Sequence, residues 1–174
     1  MGALVLGILL LVLSALLPNE PVRKHALESA SLFAMSDNML GVRNDSRYVR
    51  QDHFTDALMA EVAMTIDKDR PYQSVMLCNF PFSGDPVGDL QQQANGAGAD
   101  IPIRDYARYW HGYLVWVRPI LAYANWSAVR GITLAMLSLV VLLCVALWAN
   151  KKGVVYAVGA CAPILLCYFP QAGI

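Results

Sequence analysis

"GITLAMLSLVVLLCVALWAN", residues 131–150, contains no Asp, Glu, Lys or Arg. Its apolar residues fall on every side of a helix, whereas a helix of a soluble domain keeps an apolar stripe and a polar face. Roughly 20 such residues cross the ~30 Å hydrocarbon core of a bilayer. The alternative, a very apolar core helix, would leave a polar face that this stretch lacks. The stretch predicts a membrane-spanning helix over 131–149.

Two further runs share its character. Residues 1–18, "MGALVLGILLLVLSALLP", are free of charge, and so are residues 154–170, which follow the connector "NKKG" at 150–153. Pro163 kinks the last run, which neighbouring helices can absorb. All 13 acids and 11 of the 13 bases lie between Glu20 and Arg130, the other two bases being Lys151 and Lys152. The 174-residue chain is 57% hydrophobic and only 15% charged, with a mean hydropathy of +0.44. Its formal net charge of zero gives no support for a nucleic-acid partner.

The first run can also be read as a signal peptide. It lacks a basic start, and "SALLPNEP" (14–21) offers no small-x-small cleavage site, while Pro18 and Pro21 suit a helix stop. The expectation is an uncleaved anchor. An all-basic short connector faces the cytoplasm. With three spans, that puts the N-terminus in the cytoplasm and residues 19–130 outside. The predicted fold class is mainly α: a multi-pass protein of the cell membrane with about three transmembrane helices and an α-rich outer-face domain carrying interfacial amphipathic helices.

Within the outer segment, "EPVRKHALESASLFAM" (20–35) reads as a helix capped by Asn19, with Val22, Ala26, Leu27, Ala30 and Phe33 at helical spacing. The stretch 36–52 is polar and turn-prone. "TDALMAEVAMTI" (55–66) reads as a second helix, with Leu58, Met59, Val62, Ala63 and Ile66 on one face. "SVMLCNFPF" (74–82) fits either a short strand or a buried loop. "SGDPVGDLQQQANGAGAD" (83–100), rich in Gly, Gln and Asp, reads as a surface loop. Residues 105–117 read as an interfacial helix broken by Pro119. In "RYWHGYLVWVRP" (108–119) the amphipathic rings of Trp and Tyr suit the headgroup level.

Cysteine adds little. Cys144, Cys161 and Cys167 fall in predicted spans and Cys78 stands alone, so no disulfide or zinc framework is spelled out. Asn44-Asp-Ser46 and Asn125-Trp-Ser127 are formal glycosylation acceptors. Phosphate-loop, dinucleotide, paired-His zinc and nucleophile-elbow motifs are all missing from the sequence.

What remains is an acid cluster with histidine. Asp52, His53 and Asp56 open a helix in "QDHFTDALM" (51–59), and His111 lies far along the chain. Acids in a first turn usually serve as caps, stabilised by the helix dipole. A carboxylate can also take a proton from an acceptor hydroxyl. Asp56 is the first candidate base, Asp52 the second, and His111 can orient it or share the proton. Arg108 and Arg118 have the chemistry to hold a phosphate bidentately, and Tyr109 and Trp110 to stack on a sugar or isoprenoid. No metal ligands are assigned.

Residues 50–67, "RQDHFTDALMAEVAMTID", and 105–121, "DYARYWHGYLVWVRPIL", with the span that follows, resemble a group of bacterial polytopic membrane proteins found near envelope-polysaccharide genes. The resemblance covers roughly residues 45–174. Members of that group have many more spans, which implies that this chain matches an N-terminal portion, with further spans of a longer protein as partners. The expected topology also resembles that of the GT-C glycosyltransferases. That likeness implies transfer of a sugar from a polyprenyl-phosphate carrier at the outer membrane face, using an acid of the first outer loop. Glu20 and Glu28 lie nearest the first span but form no acidic pair. The alternative reading is a non-catalytic scaffold or assembly protein of the envelope. Either reading has membrane lipid as a partner.

Overall fold

The computed structural model describes residues 2–33, 53–107, 111–153 and 159. The chain is mainly helical, with seven α-helices and one two-stranded ribbon among the described residues. In chain order these are α1 (Gly2–Ala15), α2 (Asn19–Glu28), α3 (His53–Met64), α4 (Pro71–Leu77), β1 (Phe80–Pro81), α5 (Pro86–Ala94), β2 (Ile103–Arg104), α6 (Leu114–Leu121) and α7 (Trp126–Lys152). They fall into two compact units. The first spans 2–33, 53–107 and 111–129; the second runs from 130 onward.

In the first unit α3 is the central helix. Every residue from Ala57 to Met64 except Met59 is buried, so the one-faced stripe read from its sequence widens to nearly the whole circumference. Helices α2, α5 and α6 pack around it. The core is a single cluster including Leu11, Ala15, Val22, Ala26, Phe33, Val62, Ile66, Leu90, Leu114, Leu121 and Trp126. Trp126 meets the edge of Phe33 at a centroid distance of 5.7 Å. Its backbone N–H donates to Ser29 Oγ at 2.9 Å. Burying a ring of that size contributes roughly 2 kcal/mol or more.

Helix α1 is packed into the first unit. It packs on α4 and α6 through the stripe that buries Leu11, Ser14 and Ala15, while Leu4, Leu6, Leu9 and Leu13 are more than half exposed. The helix stops before Pro18, and the chain turns by 84° into the following helical segment. Asn19 lies inside the first turn of α2 rather than capping it, and no side chain caps that helix.

Three other expectations change. The stretch 83–100 is not a loop throughout: α5 starts at Pro86, whose fixed φ suits a first helical position. Leu90 is fully buried and Gln93 nearly so. The Gln-rich composition masked a short amphipathic pattern. The segment 74–82 is neither strand nor loop alone, since α4 ends at Cys78 in the left-handed region (φ 47°) before β1. Strand β1 pairs antiparallel with β2, Phe80 opposite Arg104 and Pro81 opposite Ile103. The helix expected at 105–117 lies instead at Leu114–Leu121 and runs through Pro119. Ile103 and Arg104 form β2 and the Tyr106 N–H bonds Leu77 O, so this backbone is engaged outside a helix.

In the second unit the described residues are those of α7 from Arg130 onward, with Gly153 and Gly159. The stretch Trp126–Asn150 has a hydropathy of 2.6 in its most apolar window, of which 6% is buried, and it alone among the described helices is long and apolar enough to cross a membrane. At 1.5 Å per residue it is about 37 Å long, ample for a tilted crossing. The helix continues through Lys152, and Gly153 ends it with φ 93° and an N–H to Ala149 O bond, a conformation that glycine adopts at little cost. The span expected at 154–170 lies outside the described residues, apart from Gly159.

Candidate functional site

Of the seven residues singled out for chemistry, Asp52, Arg108, Tyr109 and Trp110 lie outside the described residues. Asp56 stands in the first turn of α3, partly exposed. His111 and Arg118 are buried, each for a different reason.

Arg118 is fully buried on α6. Its Nε donates to Ser14 O at 2.9 Å, and its Nη2 to Leu17 O at 3.1 Å and to Asn19 Oδ1 at 2.9 Å. Its Nη1 donates to Ala63 O. Ser14 lies in the last turn of α1, Leu17 just beyond it and Ala63 in the last turn of α3, so two helix C-termini converge on one guanidinium. Carbonyls at helix C-termini lack a full set of intrahelical partners, and the negative dipole ends favour a cation. Asn19 completes the clamp by donating its Nδ2 to Ile66 O at 2.7 Å. Burial lowers the Arg118 pKa to about 10, which still leaves it charged at neutral pH. Four of its five N–H donors are already used, so it has no fork to offer a phosphate.

His111 packs between two tyrosines, 5.3 Å from the Tyr106 ring and 5.7 Å from the Tyr113 ring. Its Nε2 lies 2.7 Å from Tyr106 O. A carbonyl only accepts, so Nε2 carries the proton in the neutral ring and Nδ1 keeps a lone pair. Nδ1 has no partner, nor does the buried Tyr113 hydroxyl. Burial lowers the His111 pKa, against a smaller opposing effect of the Tyr106 bond, and raises that of Tyr113. Among the described residues no carboxylate bonds this neutral histidine, and its Nε2 bond goes to Tyr106 O rather than to Asp56. Cys78, close by, is buried too, its thiol pushed up to about 12 by desolvation, which makes it a poor nucleophile.

The Tyr113 ring lines an open groove of about 500 Å³, together with Gly7, Gly112, Val115 and Trp116. Replacing Tyr113 with Phe removes only the unpartnered hydroxyl. Thermal unfolding in mild detergent should show unchanged or slightly higher stability, since an unpaired buried group costs about 1–3 kcal/mol. A clear loss would mean that the hydroxyl is bonded in solution.

The strongest electrostatic feature was missed in the sequence. Glu61 is fully buried on α3, accepting a bond from Gln93 Nε2 at 2.9 Å through Oε1 while Oε2 has no partner. Desolvation first, then the charge of Asp89 and, more weakly, of Asp85, raise its pKa from 4.5 to about 9, against the opposing Gln93 bond. Asp89 itself accepts from Ser83 N–H at 2.7 Å and Ser83 Oγ at 2.6 Å. The signal was present: Glu61 is three residues after Leu58 and four after Ala57, on the same helix face. Among the described residues no three His, Cys, Asp or Glu side chains gather to hold a metal ion.

No family model, curated protein or solved structure matches this chain. The functional reading therefore rests on the residues themselves.

Proposed function

We propose that the protein is a membrane-integrated, non-catalytic scaffold or assembly module of the cell envelope, anchored by α7. One observation carries this reading: a 25-residue stretch of hydropathy 2.6 has 6% of its apolar window buried, where the core helix of a soluble protein would be covered. The finer topology belongs to the same proposal. The basic "NKKG" connector and the N-terminus face the cytoplasm, residues 19–130 lie outside, and 1–18 and 154–170 are further spans. The occupied Arg118 and the unpaired His111 favour scaffold over transferase.

The second reading, part of a lipid-linked sugar transferase, keeps one supporting observation: Asp56 is partly exposed at a helix N-terminus, where the dipole favours a carboxylate. One experiment separates the two. Membranes from cells making the full chain are stripped with alkaline carbonate, and envelope-glycan transfer is compared between wild type and Asp56→Asn at equal membrane abundance. The scaffold reading expects the protein to stay in the membrane and transfer to be unchanged. A general base contributes about 10²–10⁴-fold in rate, so a loss of that size would establish the transferase. Release by carbonate would remove the membrane reading.

A further inference from the structure

We propose that the groove between α1 and the start of α6 seats one hydrocarbon chain of a membrane phospholipid. The inference rests on the membrane reading above and adds a bound lipid to it.

The walls are Gly7 on one side and Gly112, Tyr113, Val115 and Trp116 on the other. Gly7 leaves the α1 backbone bare, opening a slot between larger side chains. Leu4 and Leu10, three residues to either side of Gly7, share its face of the helix and are 61% and 40% exposed. Trp116 is 40% exposed across from them. No Asp, Glu, Lys or Arg occurs before Glu20, so this rim offers neither a charge to pair with a protein nor one to repel hydrocarbon. Size decides between the remaining occupants. One helical turn, about 10 Å across and 5.4 Å long, fills roughly 400 Å³. A groove of about 500 Å³ walled by five residues thus offers a partner helix about one turn of contact, far short of the roughly 20–30 residues a side of a stable interface, whereas its volume is within the range of a small apolar ligand. Lipid is also at hand: α6 is followed by four residues, and Trp126 then opens the membrane-length helix while still buried in the same unit.

The test uses the full chain in vesicles of phosphatidylcholine brominated on its acyl chains, a contact quencher of tryptophan. Two single-tryptophan forms retain either Trp116 or Trp148, the latter 53% exposed on α7. Both should be quenched. Gly7→Leu, which fills the slot and favours helix, should abolish quenching of Trp116 and leave that of Trp148 unchanged. If removing the buried Trp126 prevents folding, the quenched signal lost between wild type and Trp116→Phe reports the same quantity. Quenching of Trp148 but not Trp116 would overturn the proposal. So would Trp116 quenching indifferent to Gly7→Leu, which indicates only surrounding lipid. Disulfide-linked dimers of Leu10→Cys that shield Trp116 would assign the groove to a second copy instead. Loss of quenching at both tryptophans would sink the membrane reading itself.

Discussion

Glu61→Gln should flatten the pH dependence of stability between about 4.5 and 9, the span across which the native Glu61 holds a proton that the unfolded chain has lost. The sign follows from linkage. Its native pKa is raised, so the folded state binds more protons than the unfolded one, and the contribution of Glu61 to stability is most favourable below pH 4.5 and declines as pH rises toward 9. The slope approaches about 1.4 kcal/mol per pH unit. Gln keeps an acceptor for Gln93 and has no charge to suppress. The variant should be more stable than wild type at pH 8 by on the order of 4 kcal/mol, and nearly equal to it at pH 4. Chemical unfolding in mild detergent at both pH values measures the difference. Equal pH profiles for the two proteins would show that Glu61 reaches water.

Arg118→Met should be the most damaging substitution in the first unit. It leaves the carbonyls of Ser14, Leu17 and Ala63 and the amide oxygen of Asn19 without their shared donor. Removing one side of a buried charged network costs about 3–5 kcal/mol. Arg118→Lys keeps the charge but loses the planar fork that meets four acceptors at once, and should recover only part of the loss. Unfolding curves and the yield of monodisperse protein measure both. A phosphate-binding arginine would behave differently, losing activity with the fold intact.

The elements that could be read from sequence are those whose cause is local. Helix α3 follows from 3.6-residue spacing, and α7 from an unbroken apolar run. The structure's departures have non-local causes. Residues 103–107 include helix-compatible side chains, yet β1 pairs with residues 103 and 104 and Leu77 O takes the Tyr106 N–H. Val87, Leu90 and Gln93 form too short a stripe to stand out among Gly and Gln until α3 supplies a face for it. For the site, residue types were legible and their occupancy was not. Arg118 looked available because three of its four partners are backbone oxygens, up to 104 positions away, and a backbone oxygen leaves no mark in a sequence.

That separation also sets an order of events at the ribosome. When Leu17 emerges, its carbonyl awaits the guanidinium that bonds it in the native fold, and that donor does not exist until Arg118 is made. At about 5–20 residues per second the wait is roughly 5–20 s. Throughout it, a leucine-rich segment must be kept by the insertion machinery or by lipid. Closure of the first unit is therefore a late step, and a chain truncated before residue 118 should remain a client of chaperones.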